Sequence, residues 1–96
     1  MDELDPLPVI RHHFNSLSLS EKEKKDIEAT FKSLAILLGR KALGDDVEEQ
    51  LKQVQAQVQL WKSGATAMVY SAFWAAAEEY AEGVGKILSA TVKGLI

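Results

Sequence analysis

The side chains best suited to chemistry in this chain are few and poorly assembled. His12 and His13 are adjacent, so on a helix they point about 100° apart and cannot grip one metal ion from a single face. Glu78, Glu79 and Glu82 set two carboxylates one turn apart. A carboxylate di-metal site draws Glu-x-x-His pairs from facing helices, and no such pair occurs here. The three glutamates therefore read as a solvated acidic patch. Gly83-Val84-Gly85-Lys86 has the outline of a phosphate-binding loop, but that loop needs a glycine five residues before the Gly-Lys pair and a hydroxyl directly after it. Tyr80 and Ile87 occupy those two places. It is not a nucleotide site.

There is no cysteine, which removes thiolate nucleophiles, thiolate metal ligands and disulfides. No histidine stands near a plausible serine–acid pair, so catalysis lacks its parts. The expectation is a non-enzymatic protein with no cofactor and no metal. A net charge of -3 and a pI of about 5.3 argue against nucleic acid as a partner. The lysines are interleaved with acids in Glu21-Lys22-Glu23-Lys24-Lys25-Asp26, the pattern of a solvated helix surface. The start, Met1-Asp2-Glu3-Leu4-Asp5, is acidic where a secretory signal would be basic and then apolar. A cytoplasmic or assembly-bound location is favoured, while the compartment itself stays unknown.

What the sequence specifies better is the framework. An apolar fraction of 47% excludes disorder, and the expected class is all-α. Residues 1–19 read as an N-terminal arm, either extended or a short helix opened by Pro8, with Ile10, Phe14 and Leu17 on one side. Residues 20–96 read as an antiparallel helical hairpin with a C-terminal helical extension. Ser20-x-x-Glu23 is a capping box, Ile27, Phe31, Leu34 and Leu38 form the stripe behind it, and Ile36 and Leu37 widen that stripe. Gly44 is placed for the left-handed residue after the last turn. Asp45-x-x-Glu48 repeats the capping pattern for the second helix.

From Val47 an apolar seam then runs through Leu51, Val54, Val58, Trp61, Ala65, Met68, Ala72 and Ala75 in steps of four and three. That spacing predicts one long second helix over about 46–93, continuous or kinked near 83–85. Such a helix would be roughly 70 Å long at ~1.5 Å per residue. A compact chain of this size is only ~30 Å across, so either the helix breaks or the protein is elongated and completed by partners.

The expected function follows from that tension. No charge occurs between Lys62 and Glu78, and a helix apolar nearly all round is buried on several sides. Ser63, Ala67, Ser71 and Ala75 recur every fourth position, a spacing that lets helix backbones approach closely. The expected partner interface comprises Ala67, Ser71, Phe73, Trp74, Ala75, Tyr80, Val84, Ile87, Leu88 and Leu95. Glutamines 50, 53, 55, 57 and 59 flank the second helix and have scope to bond a neighbouring chain. The reading is a structural assembly protein, a homo-oligomer or a subunit of a larger complex such as a virion, phage particle, secretion tube or scaffold. The rivals are a membrane-associated amphipathic helix, less favoured because a span needs about 20 apolar residues, and a monomeric adaptor that holds a peptide beside Trp74.

Overall fold

The computed structural model describes residues 5–62 and 67–95. These form five helices, α1 (Pro6–Phe14), α2 (Glu21–Ala42), α3 (Glu48–Gln59), α4 (Ala67–Val84) and α5 (Lys86–Leu95), with no strand among the described residues. Residues 1–4, 63–66 and 96 lie outside this description, and with them Ser63 and Ala65 of the expected stripes.

The arm is helical, and it starts two residues earlier than Pro8. Asp5 is extended, as a residue before proline must be, and its carboxylate accepts from the Leu7 N–H at 3.0 Å. Pro6 and Pro8 then occupy first-turn positions whose N–H groups would have no helical partner, so neither costs a bond. Ile10 and Phe14 are buried and α1 packs on α4 and α2, so the arm contributes to the same core as the rest.

Helix α2 opens on both halves of the capping box. Glu23 N–H donates to Ser20 Oγ at 3.1 Å, and Ser20 N–H donates to Glu23 Oε1 at 3.2 Å. It closes on a Schellman motif in which Gly44, at φ +95°, donates to the Lys41 carbonyl and Asp45 to the Arg40 carbonyl. Ile27, Phe31, Leu34, Leu37 and Leu38 are buried as the spacing predicts, but Ile36 is 63% exposed. Ile36 sits two residues past Leu34, about 200° round the helix, and so faces away from the stripe.

The connection 43–47 leads into α3, and the second cap differs from expectation. Glu48 is the first helical residue, Val47 supplies no side-chain cap, and it is Asp46 Oδ1 that accepts the Glu48 N–H at 3.3 Å. Asp45 pairs instead with Arg40, and Lys41 reaches Glu48, both at 3.3 Å.

The long second helix is not present. After Gln59 the chain tightens into i→i−3 bonds, Leu60 to Gln57, Trp61 to Val58 and Lys62 to Gln59, which end α3, and the next described helix, α4, begins at Ala67. The seam also changes phase. Val47, Leu51, Val54 and Val58 are buried, but Met68 and Ala75 face outward while Val69, Phe73, Ala76 and Ala77 are enclosed. Continuing the seam would have buried Met68 and alanines and left Phe73 in water. Each large apolar side chain contributes ~1.5–3 kcal/mol when fully buried, so enclosing Phe73 and Val69 outweighs continuity of the helix.

A second break follows at Gly85, whose N–H completes the bonding of α4 and whose carbonyl begins that of α5. Helix α5 folds back on α4 and α3, burying Leu88 and Val92. Gln55 Nε2 donates to the Leu95 carbonyl at 2.6 Å, giving a partner to a last-turn carbonyl that has none within its helix. The resulting body measures 37 × 29 × 19 Å, half the length the continuous helix would need.

The core centres on Phe73, fully buried, with Phe31, Trp61 and Trp74 edge-to-face around it at 5.3–5.7 Å between ring centroids. Ala76, Ala77 and Ala81 are completely enclosed. These three small side chains let neighbouring helices approach inside the molecule, while Ala67, Ser71 and Ala75 lie outside it.

Candidate interaction surfaces

The ten residues expected to form a partner interface do not share one surface. Phe73, Trp74 and Leu88 are buried in the chain's own core, because the breaks at residues 60–62 and at Gly85 let the chain cover its own apolar helix. Tyr80 and Leu95 are half-buried against that core. Ala67, Ser71, Ala75, Val84 and Ile87 remain exposed.

Ala67, Ser71 and Ala75 follow one another at four-residue spacing down the outer side of α4, and Met68 lies beside them, 67% exposed. The face turns acidic at Glu79 and Glu82. Val84 and Ile87, 45% and 75% exposed, flank the corner at Gly85. The indole N–H of Trp74 is enclosed without a hydrogen-bond partner among the described residues.

Two open grooves border α2 and meet at Ser33 and Ile36. The groove between α2 and α3, of about 390 Å³, has Leu37 and Val54 as its floor. Thr30, Ser33 and Ile36 rise on one side, and Gln50, Gln53 and Gln57 on the other. All eight lining residues are uncharged. The groove between α1 and α2, of about 440 Å³, is different in kind, with Lys25, Glu28 and Lys32 on its walls. Ile36, expected to widen the buried stripe, lies on the rim of both grooves instead; its departure from the three-and-four spacing of Ile27, Phe31, Leu34 and Leu38 is the signal in the sequence that it faces outward.

Arg11 and His13 make polar contacts that join α1 to its neighbours. Arg11 grips Glu28 with two hydrogen bonds of 2.9 and 3.2 Å, fastening α1 to α2. The Arg11 hydrogen bond, with its positive charge, holds the Glu28 carboxyl below its usual range against the opposing effect of burial. His13 Nε2 lies 3.4 Å from Glu79 Oε2 on the other flank of α1. His12 and His13 meet edge-to-face at 5.7 Å and do not converge on a common point. No group of three or more His, Asp or Glu among the described residues is placed to hold a metal ion. No helix among them is long and apolar enough to cross a membrane.

No protein-family model, curated protein or solved structure matches this chain. Any functional reading rests on these surfaces alone.

Proposed function

We propose that this chain is a non-enzymatic helical structural protein that self-associates or docks on a larger complex through the outer face of α4 and the α4–α5 corner. The observation that carries the reading is Met68, 67% exposed on a helix, α4, that carries no charge before Glu78. Water-facing helices dilute such surfaces with charge. Helix α2 does so, with Lys22, Lys25, Asp26, Lys32 and Arg40 at exposed positions.

Beside Met68, Ser71 and Ala75 are short enough to let a partner helix lie close, and thioether side chains adapt to varied partners. Val84 and Ile87 add exposed apolar area at the corner. The buried aromatic residues support this indirectly by making a rigid body that presents the face. Small subunits of virions, secretion tubes and scaffolds are the class of part envisaged, by analogy of architecture only.

The test is molar mass in solution across concentration for the parent, Ala67→Leu and Ser71→Arg. Both positions are exposed, so both variants should fold as the parent does. The parent is expected to associate and both variants to associate less. An unchanged mass profile in both variants would contradict the reading. A parent of constant mass that binds liposomes would favour a membrane-associated protein instead.

A further inference from the structure

Helix α2 carries a second stripe outside the core. Lys25, Ala29, Lys32 and Ile36 follow one another in steps of four, three and four, so they lie in one row along the helix. All four are exposed and line the groove between α1 and α2, with Leu7 of α1 on the other side. Leu43, 84% exposed, continues the row seven residues after Ile36. The row sets two cations among small and apolar side chains over several turns, the length of a polypeptide segment rather than of a small molecule. The charge of the groove is also of one sign. Glu28, the one acid that lines it, gives both carboxylate oxygens to Arg11, at 2.9 and 3.2 Å. Lys32 acts on Glu28 only at longer range, and neither Lys25 nor Lys32 makes an ion pair among the described residues. In a chain of net charge -3, two unpaired lysines in one groove set the sign of what it takes.

We propose that this groove binds an acidic amphipathic segment of another protein. Such a segment sets carboxylates against Lys25 and Lys32 and a large apolar side chain against Leu7, Ala29 and Ile36. Lys25 and Lys32 stand two helical turns apart, ~10 Å at ~1.5 Å per residue. A partner helix with acids seven residues apart and an apolar residue between them matches that spacing. A second copy of this chain does not supply it. Glu21 and Glu28 are the only acids seven apart in the sequence, and Glu28 is engaged by Arg11. A lipid surface is flat and does not follow a groove between two helices. The groove shares no residue with the α4 face, so this inference and the function proposed above fail separately.

Fluorescence anisotropy of the full chain with a labelled helical peptide of alanine, glutamate and leucine tests it. The peptide places glutamates seven residues apart with leucine between them, and a control peptide has glutamine at the same places. The glutamate peptide is expected to bind, more weakly as salt is added, and the control at least ~10-fold less tightly. Lys25 and Lys32 are exposed, so the double variant Lys25→Gln, Lys32→Gln should keep the parent's helicity and lose at least ~10-fold in affinity for the glutamate peptide. Lys22 and Lys93 are exposed outside the groove, so Lys22→Gln with Lys93→Gln removes the same charge and should leave that affinity nearly unchanged. Ile36→Ser should weaken both peptides alike, because it removes an apolar contact and no charge. A parent that does not bind the glutamate peptide overturns the inference. So does equal binding of the two peptides, and so does an equal loss in the two double lysine variants. Phosphatidylserine vesicles that displace the bound peptide as well as unlabelled peptide does would also overturn it, in favour of a lipid surface.

Discussion

At the scale of single residues, position 73 outweighs position 68 although both are large and apolar. Phe73 is fully enclosed and touches three other aromatic rings edge-to-face, whereas Met68 is mostly in water. Phe73→Ala should therefore cost about 3–5 kcal/mol, the range for removing a buried aromatic, and Met68→Ala should stay within ~0.5 kcal/mol in the monomer. Urea titration of both variants, below the concentration where association begins, would check this. Similar losses in the two would mean that the seam keeps its original phase through α4. Phe31→Ala and Leu34→Ala belong with Phe73, since both side chains are only 1% exposed. A melt within a degree or two of the parent would put them on the wrong face.

The Arg11–Glu28 pair gives a residue-scale prediction in pH. Because Glu28 has its pKa lowered in the fold, the unfolded chain takes up this proton first as pH falls. The pair's contribution is present above the unfolded carboxylate pKa and is lost as pH drops through the folded one. Glu28→Gln should flatten that part of the acid-unfolding profile and leave stability above it nearly pH-independent at this site. A profile parallel to the parent's would deny the pair any role in holding α1.

At the scale of elements, the helix ends were more legible than the helix lengths. The Ser20–Glu23 box and the Gly44 terminus are local chemistry: a short oxygen reaching a nearby N–H, and a residue without Cβ at positive φ. Gly44→Ala tests the latter cleanly. Its φ is +95° and nothing lies within 4 Å of the added Cβ, so the cost is conformational alone, about 1–2 kcal/mol. A neutral result in thermal unfolding would mean that the turn relaxes to another form.

The break after α3 was not legible for a different reason. No proline stands in 60–62, and the apolar residues there suit a helix as well as a turn. What decides the break is the gain from enclosing Phe73 and Val69 against Phe31 and the other helices, a tertiary term absent from any window of sequence. The same break explains the fate of the expected interface. An unbroken helix leaves no chain to cover Phe73, Trp74 and Leu88, hence the expectation that a partner does. Once the chain turns at 60–62 and again at Gly85, α1, α2, α3 and α5 all pack on α4 or on each other. Ala67, Ser71 and Ala75 survive as candidates because a small-residue face needs no burial of its own.

The arm yields an element-scale prediction. Ile10 is fully buried and Phe14 nearly so, so Ile10→Ala should destabilise by about 2–5 kcal/mol. If the arm were a dispensable strap, the variant would unfold at the parent's denaturant midpoint.

At the scale of the whole molecule, the structure turns an apparently elongated, partner-dependent helix into a body 37 Å long that covers most of its own apolar surface. The large apolar side chains left outside among the described residues are Met68 on α4, Val84 and Ile87 at the corner, Ile36 between its two grooves, and Leu43 and Leu60 at the C-terminal ends of α2 and α3. In the proposed assembly the α4 face, exposed in the monomer, is covered by a partner. The chain has two methionines, Met1 and Met68, so a carbon-labelled ε-methyl spectrum contains one signal from the proposed interface and one from the N-terminus. The decisive measurement is that spectrum as a function of protein concentration, with Ser71→Arg as the control. The Met68 signal is expected to shift and lose solvent contact as the parent is concentrated, while in Ser71→Arg it stays at the monomer position. A Met68 signal that remains solvent-exposed and unmoved in the parent, at concentrations where the mass has risen, would contradict it.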